Sequence, residues 1–218
     1  KWNEAEIDRV LTTRWRPYPV YTDRVAWESV PREARNKIIN DAAGLNGKPY
    51  VALPFSEYLS FVRDGNRDRY EKLYFSRRSQ LLQVLMAECI EGSERFRDDV
   101  LNGIWAICEE TTWCIPAHIG QKEGVPVREE PVVDLFAAET AALLSWIDYL
   151  YGTELEKVSP LIRQRLRQEV QNRVLKPFLE RNDAWWMGLD GSRVNNWNPW
   201  ILSNIIPSTL LIEKDRTI

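Results

Sequence analysis

Apolar positions recur at helical spacing along most of the chain. After Pro31, Ala34, Ile38 and Ala42 fall every four residues, and Gly44 follows as a stop. A second stretch begins after Asn66, where Tyr70, Tyr74, Leu81, Leu85 and Cys89 keep one face apolar until Gly92. Leu82, Val84 and Met86 widen that face, which predicts a helix buried on more than one side. Ser93 can cap the next helix, whose stripe is Phe96, Val100, Ile104 and Cys108. Asp134 can cap another, running through Leu135, Ala138, Ala142 and Trp146 to about Tyr151. Ser159-Pro160 joins a capping side chain to a Pro at the first helical position, and Ile162, Leu166, Val170 and Val174 follow at spacing four. Pro177 should kink or end that helix, and Pro207 should interrupt a last one from Asn198-Pro199 to about Leu211.

Strand signals are nearly absent, because 125–127 and 131–133 are short and broken by Pro. The pattern predicts an all-α chain of antiparallel helix hairpins, a single domain over 1–218 with no dividing linker and no repeated motif. Turns near Gly92 and from Gly152 to Val158 should be short, whereas 111–133 and 182–197 are long and helix-poor. Counting helix directions brings both long loops to one end, together with the segment that holds Tyr58 and Phe61. Short turns at one rim and long aromatic loops at the other describe a scaffold with one working face.

Composition sharpens this picture at one point. Ten of 218 residues are Trp, a surplus that suits either thick helix seams or open ring faces for a flat ligand such as a sugar. The net charge of −3 comes without any basic block, which argues against nucleic acid as a partner. No apolar run approaches the roughly 18 residues of a membrane-spanning helix, so no membrane insertion is expected. His118 is the only histidine, which excludes a metal site built on several His ligands, and no cofactor is expected. Cys89 and Cys108 read as small hydrophobes, and a Cys108–Cys114 bridge is left open.

Three groups of residues could carry chemistry. Thr112-Trp113-Cys114-Ile115-Pro116-Ala117-His118 places an aromatic face, a rigid Pro and the sole imidazole on one long loop. Trp185-Trp186 and Asn195-Asn196-Trp197-Asn198-Pro199-Trp200 form a dense polar and aromatic set on the other. Within it, Asn198 could simply cap the last helix while the Trp side chains pack in a seam. Glu109, Glu110, Asp134 and Glu139 flank the first loop and could supply paired carboxylates, although a solvated helix end for Glu109 and Glu110 and a cap for Asp134 are the favoured readings. The Arg163, Arg165, Arg167 and Arg173 run reads as solvated surface.

The run Ala87-Glu88-Cys89, then Ile104-Trp105-Ala106-Ile107-Cys108-Glu109-Glu110, Trp113, Pro116-Ala117-His118, Asp134-Leu135-Phe136-Ala137-Ala138-Glu139-Thr140 and Asn195-Asn196-Trp197-Asn198-Pro199-Trp200 resembles heparinase II/III-like polysaccharide lyases. The resemblance covers most of the chain from about Tyr70 and matches the helical N-terminal domain of that family. It implies an incomplete α/α toroid, an acidic polysaccharide or oligosaccharide as partner, and a periplasmic or secreted setting. There is no signal peptide to read, and an earlier removal is compatible with the opening Lys1-Trp2-Asn3.

The implied chemistry is β-elimination on a uronic-acid glycan. Asn195 or Asn196 would neutralise the uronate carboxylate, His118 would contact substrate, and Trp113, Trp185, Trp186, Trp197 and Glu109 would bind it. Family members usually continue through further helices into a C-terminal β-sandwich, and a catalytic Tyr commonly follows the Asn motif. This chain therefore reads as a fragment, inactive alone, whose uncovered surface around Ile201, Ile205, Ile206, Leu210 and Leu211 would drive self-association. Two further functions stay open: a non-catalytic carbohydrate-binding or structural helical domain, and a glycoside hydrolase toroid using paired carboxylates.

Overall fold

A computed structural model describes residues 15–119, 125–189, 191 and 193–213, together with residues 3, 5, 6 and 9. Among these the chain is all-helical, with no strand. The elements are α1 (Arg24–Ser29), α2 (Arg32–Ala43), α3 (Phe55–Tyr58), α4 (Ser60–Asp64), α5 (Asp68–Glu91), α6 (Arg97–Cys108), α7 (Leu135–Val158), α8 (Pro160–Val170), α9 (Lys176–Glu180) and α10 (Trp197–Ile212). One-turn 3₁₀ segments lie at Pro116–His118 and Trp185–Met187.

Helix α7 is the spine. Its residues are small or apolar on most sides, from Leu135 through Leu144 to Leu155, so it can bury against several neighbours at once. Helix α10 lies along it, α8 folds back on it, and α6 and α2 pack on α5. The hairpin between α7 and α8 turns at Ser159, whose hydroxyl accepts the Leu161 amide ahead of Pro160. Helix α7 itself continues through Gly152 to Val158, so the expected turn over that stretch is helix. Gly92 closes α5 in the left-handed conformation at φ 66°, which Gly adopts without steric cost.

Three local expectations are corrected. Ser93 does not cap α6: its hydroxyl goes to Glu91, and the carboxylate of fully buried Glu88 instead accepts the amides of Glu94 and Phe96. A full charge can take two orphan amides where a hydroxyl takes one. Leu82, expected on the buried face, is 48% exposed, whereas Val84 is buried. Pro207 does not interrupt α10, which runs unbroken to Ile212. Around that Pro, Ser208 and Thr209 return their hydroxyls to the carbonyls of Asn204 and Ile205. Before Pro177 the chain takes a π turn over Gln171–Leu175, which relieves the clash a Pro ring makes with the preceding turn.

The arginine run is not a solvated surface either. Arg163 and Arg167 both grip the carboxylate of buried Asp148, and Arg165 and Arg173 both grip Glu169. The amino-terminal stretch bolts across the helices. Tyr21 donates its amide to the Leu150 carbonyl, the Tyr149 hydroxyl donates to the Tyr18 carbonyl, and Arg24 donates to the carbonyls of Cys89 and Ile90 at the end of α5. At the other end of the chain, Ile201 and Ile205 are buried in the seam with α7, while Ile206 and Leu210 are exposed.

Candidate functional site

The two long loops meet. Trp186 donates its indole N–H to the Val133 carbonyl, Asn198 donates to the Trp186 carbonyl, and the ring of Trp197 lies 4.9 Å from Trp185 and 4.5 Å from His118. Between them is a groove of about 250 Å³, lined by His118, Pro131 to Asp134, Arg181, Asp183, Trp185 and Trp197.

His118 is built into this groove from three directions. Pro116 starts the 3₁₀ turn that presents it. Its Nδ1 lies 2.7 Å from Oδ2 of Asp134, whose Oδ1 accepts the Ala137 amide at 2.7 Å and so caps α7. Phe136 stacks on the imidazole at 5.4 Å and 11°, with Trp197 tilted against it. Arg67 Nη2 approaches Nε2 at 3.4 Å from the solvent side. A carboxylate can only accept and a guanidinium can only donate, so the pairing assigns the neutral ring's proton to Nδ1 and the lone pair to Nε2. Only 9% of the His118 side chain and 1% of the Asp134 side chain is exposed. The cap and the orienting carboxylate are thus one residue. Beneath it, burial and the Asp134 charge push the Cys114 thiol well above its ordinary value, so this sulfur stays protonated.

The remaining candidates separate. Trp185 is 54% exposed and Trp197 is partly buried, so each keeps ring surface at the groove. Trp113 and Trp186 are corrected as open stacking faces, being 2% and 3% exposed. Trp113 donates to the Ile107 carbonyl under the Arg173 guanidinium, and Trp186 stacks parallel on Phe178. Both spend their indole on the core, as a buried Trp must. Asn195 and Asn196 are exposed at the head of α10, beside the groove but outside its lining. Asn195 uses its side-chain oxygen to accept the Trp197 amide, which leaves the amide nitrogen facing solvent. Asn198 does not cap α10; it ties the first turn of that helix back to Trp186.

Glu109 lies apart from His118, exposed and paired with Arg165 at 3.1 Å. Glu110 is buried between Arg77 and Arg78, and Glu139 accepts the Trp200 indole N–H at 2.7 Å. Burial raises the Glu139 carboxyl above its ordinary value, and the Trp200 bond opposes that rise. All three cysteines are free and buried, so Cys108 and Cys114 are not bridged. Among the described residues no cluster of His, Cys, Asp and Glu could hold a metal ion. Sequence reasoning passed over Arg67, which has no signal beyond its place in the break before α5.

Comparison with protein-family models and with curated proteins finds no match to this chain.

Proposed function

We propose that this chain is the helical, toroid-forming part of a polysaccharide lyase that acts on uronic-acid glycans by β-elimination, in the periplasm or outside the cell. The observation that carries the reading is the His118–Asp134 pair at the foot of an aromatic groove. Asp134 fixes the tautomer that leaves Nε2 free to take a proton, as a general base requires. In the elimination, the proton on C5 passes to Nε2 and its electron pair becomes the C4–C5 double bond. The C4–O4 bond breaks, and Nε2 passes that proton on to the departing oxygen, which leaves the ring neutral again. Arg67 is half-exposed, so it can leave Nε2 for the substrate carboxylate. Asn195 and Asn196 supply un-ionised amide donors at the rim, whose bonds strengthen as charge builds on the uronate. Trp185 and Trp197 offer ring faces to the sugars.

Two other readings have less support. A hydrolase needs two facing carboxylates, yet Glu110 is clamped by two guanidiniums and Asp134 is committed to His118 and Ala137. A pure binding module would use the same Trp185 and Trp197 and leave His118 idle.

The test is to incubate the full-length enzyme that carries this chain with uronic-acid polysaccharides and follow the ultraviolet absorbance of an unsaturated uronate. Asn196→Ala should lower kcat by about 10²–10³ with little change in KM. His118→Gln should lower it by about 10²-fold or more. Both variants should keep the wild-type circular dichroism. Unimpaired turnover in both would overturn the assignment. Glycan retention that depends on Trp185 and Trp197, without any unsaturated product, would leave a binding module.

A further inference from the structure

Helix α7 is sealed except along one line. Between Leu135 and Leu150 only Phe136, Glu139, Leu143, Trp146 and Tyr149 are not buried, and their spacing of three and four puts them on one face. The head of that line belongs to the His118 site, where Phe136 stacks on the imidazole and Trp197 of α10 closes against it. One turn further on, Glu139 accepts the indole N–H of Trp200 at 2.7 Å. Phe136 to Glu139 on α7 and Trp197 to Trp200 on α10 are each a step of three residues, so the two helices run side by side in one direction. Glu139 and Trp200 therefore stand roughly 5–6 Å beyond the residues that hold His118, on the same seam.

The two side chains leave complementary surfaces open. Trp200 is 41% exposed and spends its only donor on Glu139, so it keeps ring face for solvent. Glu139 is partly buried; Oε1 takes the indole bond, and Oε2 has no partner among the described residues. A carboxylate oxygen beside an open indole accepts hydroxyl protons from a sugar whose C–H face lies on the ring. The same carboxylate repels another carboxylate. The charges that reach it are those of Asp134 and Arg78. Asp134 adds to the repulsion, and Arg78 is already engaged by Glu110 and Thr140.

We propose that Glu139 and Trp200 form the sugar subsite next to His118, and that the Glu139 charge makes it take an uncharged ring and refuse a second uronate. The inference rests on the lyase reading for the sugar held at His118 and adds the identity of its neighbour.

Polygalacturonate, and the same polymer with half its carboxylates reduced to primary alcohols, present the two kinds of neighbour on one backbone. Titration calorimetry of each against the 218-residue chain reads the preference. The half-reduced polymer should bind about 10-fold or more tightly than its parent. Glu139→Gln keeps an oxygen for Trp200 and removes the charge, so it should tighten the parent polymer about 5- to 10-fold and close most of that gap. Asp41→Asn removes an equal charge from an exposed site on α2 and should leave the gap as it is. Trp200→Ala should weaken the half-reduced polymer about 3- to 10-fold. Equal binding of the two polymers, binding of neither, a gap unchanged in Glu139→Gln, or a gap narrowed as much by Asp41→Asn would overturn the proposal. The lyase reading fails on a different result. If the gap closes in Glu139→Gln but the full-length enzyme releases no unsaturated uronate, the subsite stands and the β-elimination does not.

Discussion

At Glu110 one carboxylate faces two guanidiniums with almost no water around it. Removing one member of such a group strands the others, because a buried charge loses far more solvation than a surface charge. Glu110→Gln keeps the shape but deletes the charge, so it should cost about 3–5 kcal/mol in urea unfolding. The same change at exposed Glu109 should be close to neutral. This contrast was illegible in the sequence, where Glu109 and Glu110 are neighbours at a helix end. Burial depends on partners such as Arg77 and Arg78, about one helix hairpin away. The arginine run failed for the same reason: the carboxylate of Asp148 lies on the preceding helix, and no periodicity in α8 announces it. His118 and the Asp134 cap were legible as residues, since a lone imidazole and a capping acid stand out. Their hydrogen bond was not, because they stand sixteen positions apart in the sequence with no periodicity linking them.

Among the elements, caps and glycines that act through their own neighbours were well read. Gly44, Gly92, Asp134 and Ser159 end or start helices as the local chemistry demands. The failures lie where a distant group or a side chain overrides the local rule, as Glu88 does for α6 and as the continuous helix does at Pro207. Gly103 extends this lesson. Inside an exposed helix, Gly→Ala would add about 1 kcal/mol. Here the Tyr50 ring and Leu81 press on the bare backbone, and Tyr50 is held there by its bond to the Asp99 carbonyl. Gly103→Ala should therefore destabilise by about 1–3 kcal/mol, through overpacking between α6 and the chain that follows α2. Tyr50→Phe in the same background should recover part of that loss in chemical denaturation.

Taken over the whole molecule, the three thiols and six of the eight phenols are held in their neutral forms. Burial pushes Cys89 and Cys108 up to about 12 and raises Tyr21, Tyr50, Tyr58, Tyr70, Tyr74 and Tyr151 above the ordinary phenol value. In the unfolded chain these groups ionise near their ordinary values, about 8.5 for thiols and 10 for phenols. The native state binds more protons above those values, so the stability they contribute is present below about pH 8.5 and is lost as pH rises toward the native values. Each group in that window removes about 1.4 kcal/mol per pH unit. Unfolding midpoints should therefore fall steeply above pH 9, and the phenolate absorbance of these six tyrosines should appear together with the loss of helix rather than before it. Gradual titration of these six in a still-helical protein would contradict this. The bolt across the helices carries a different consequence, in the order of synthesis. Tyr18 and Tyr149 are bonded across 131 residues of sequence, so the segment around Tyr18 leaves a ribosome long before the partner that seats it. Until Tyr149 and Leu150 have emerged, this segment can be held only at the end of α5, and a nascent chain halted before that point leaves Tyr18 and the Tyr21 amide without their partners on α7.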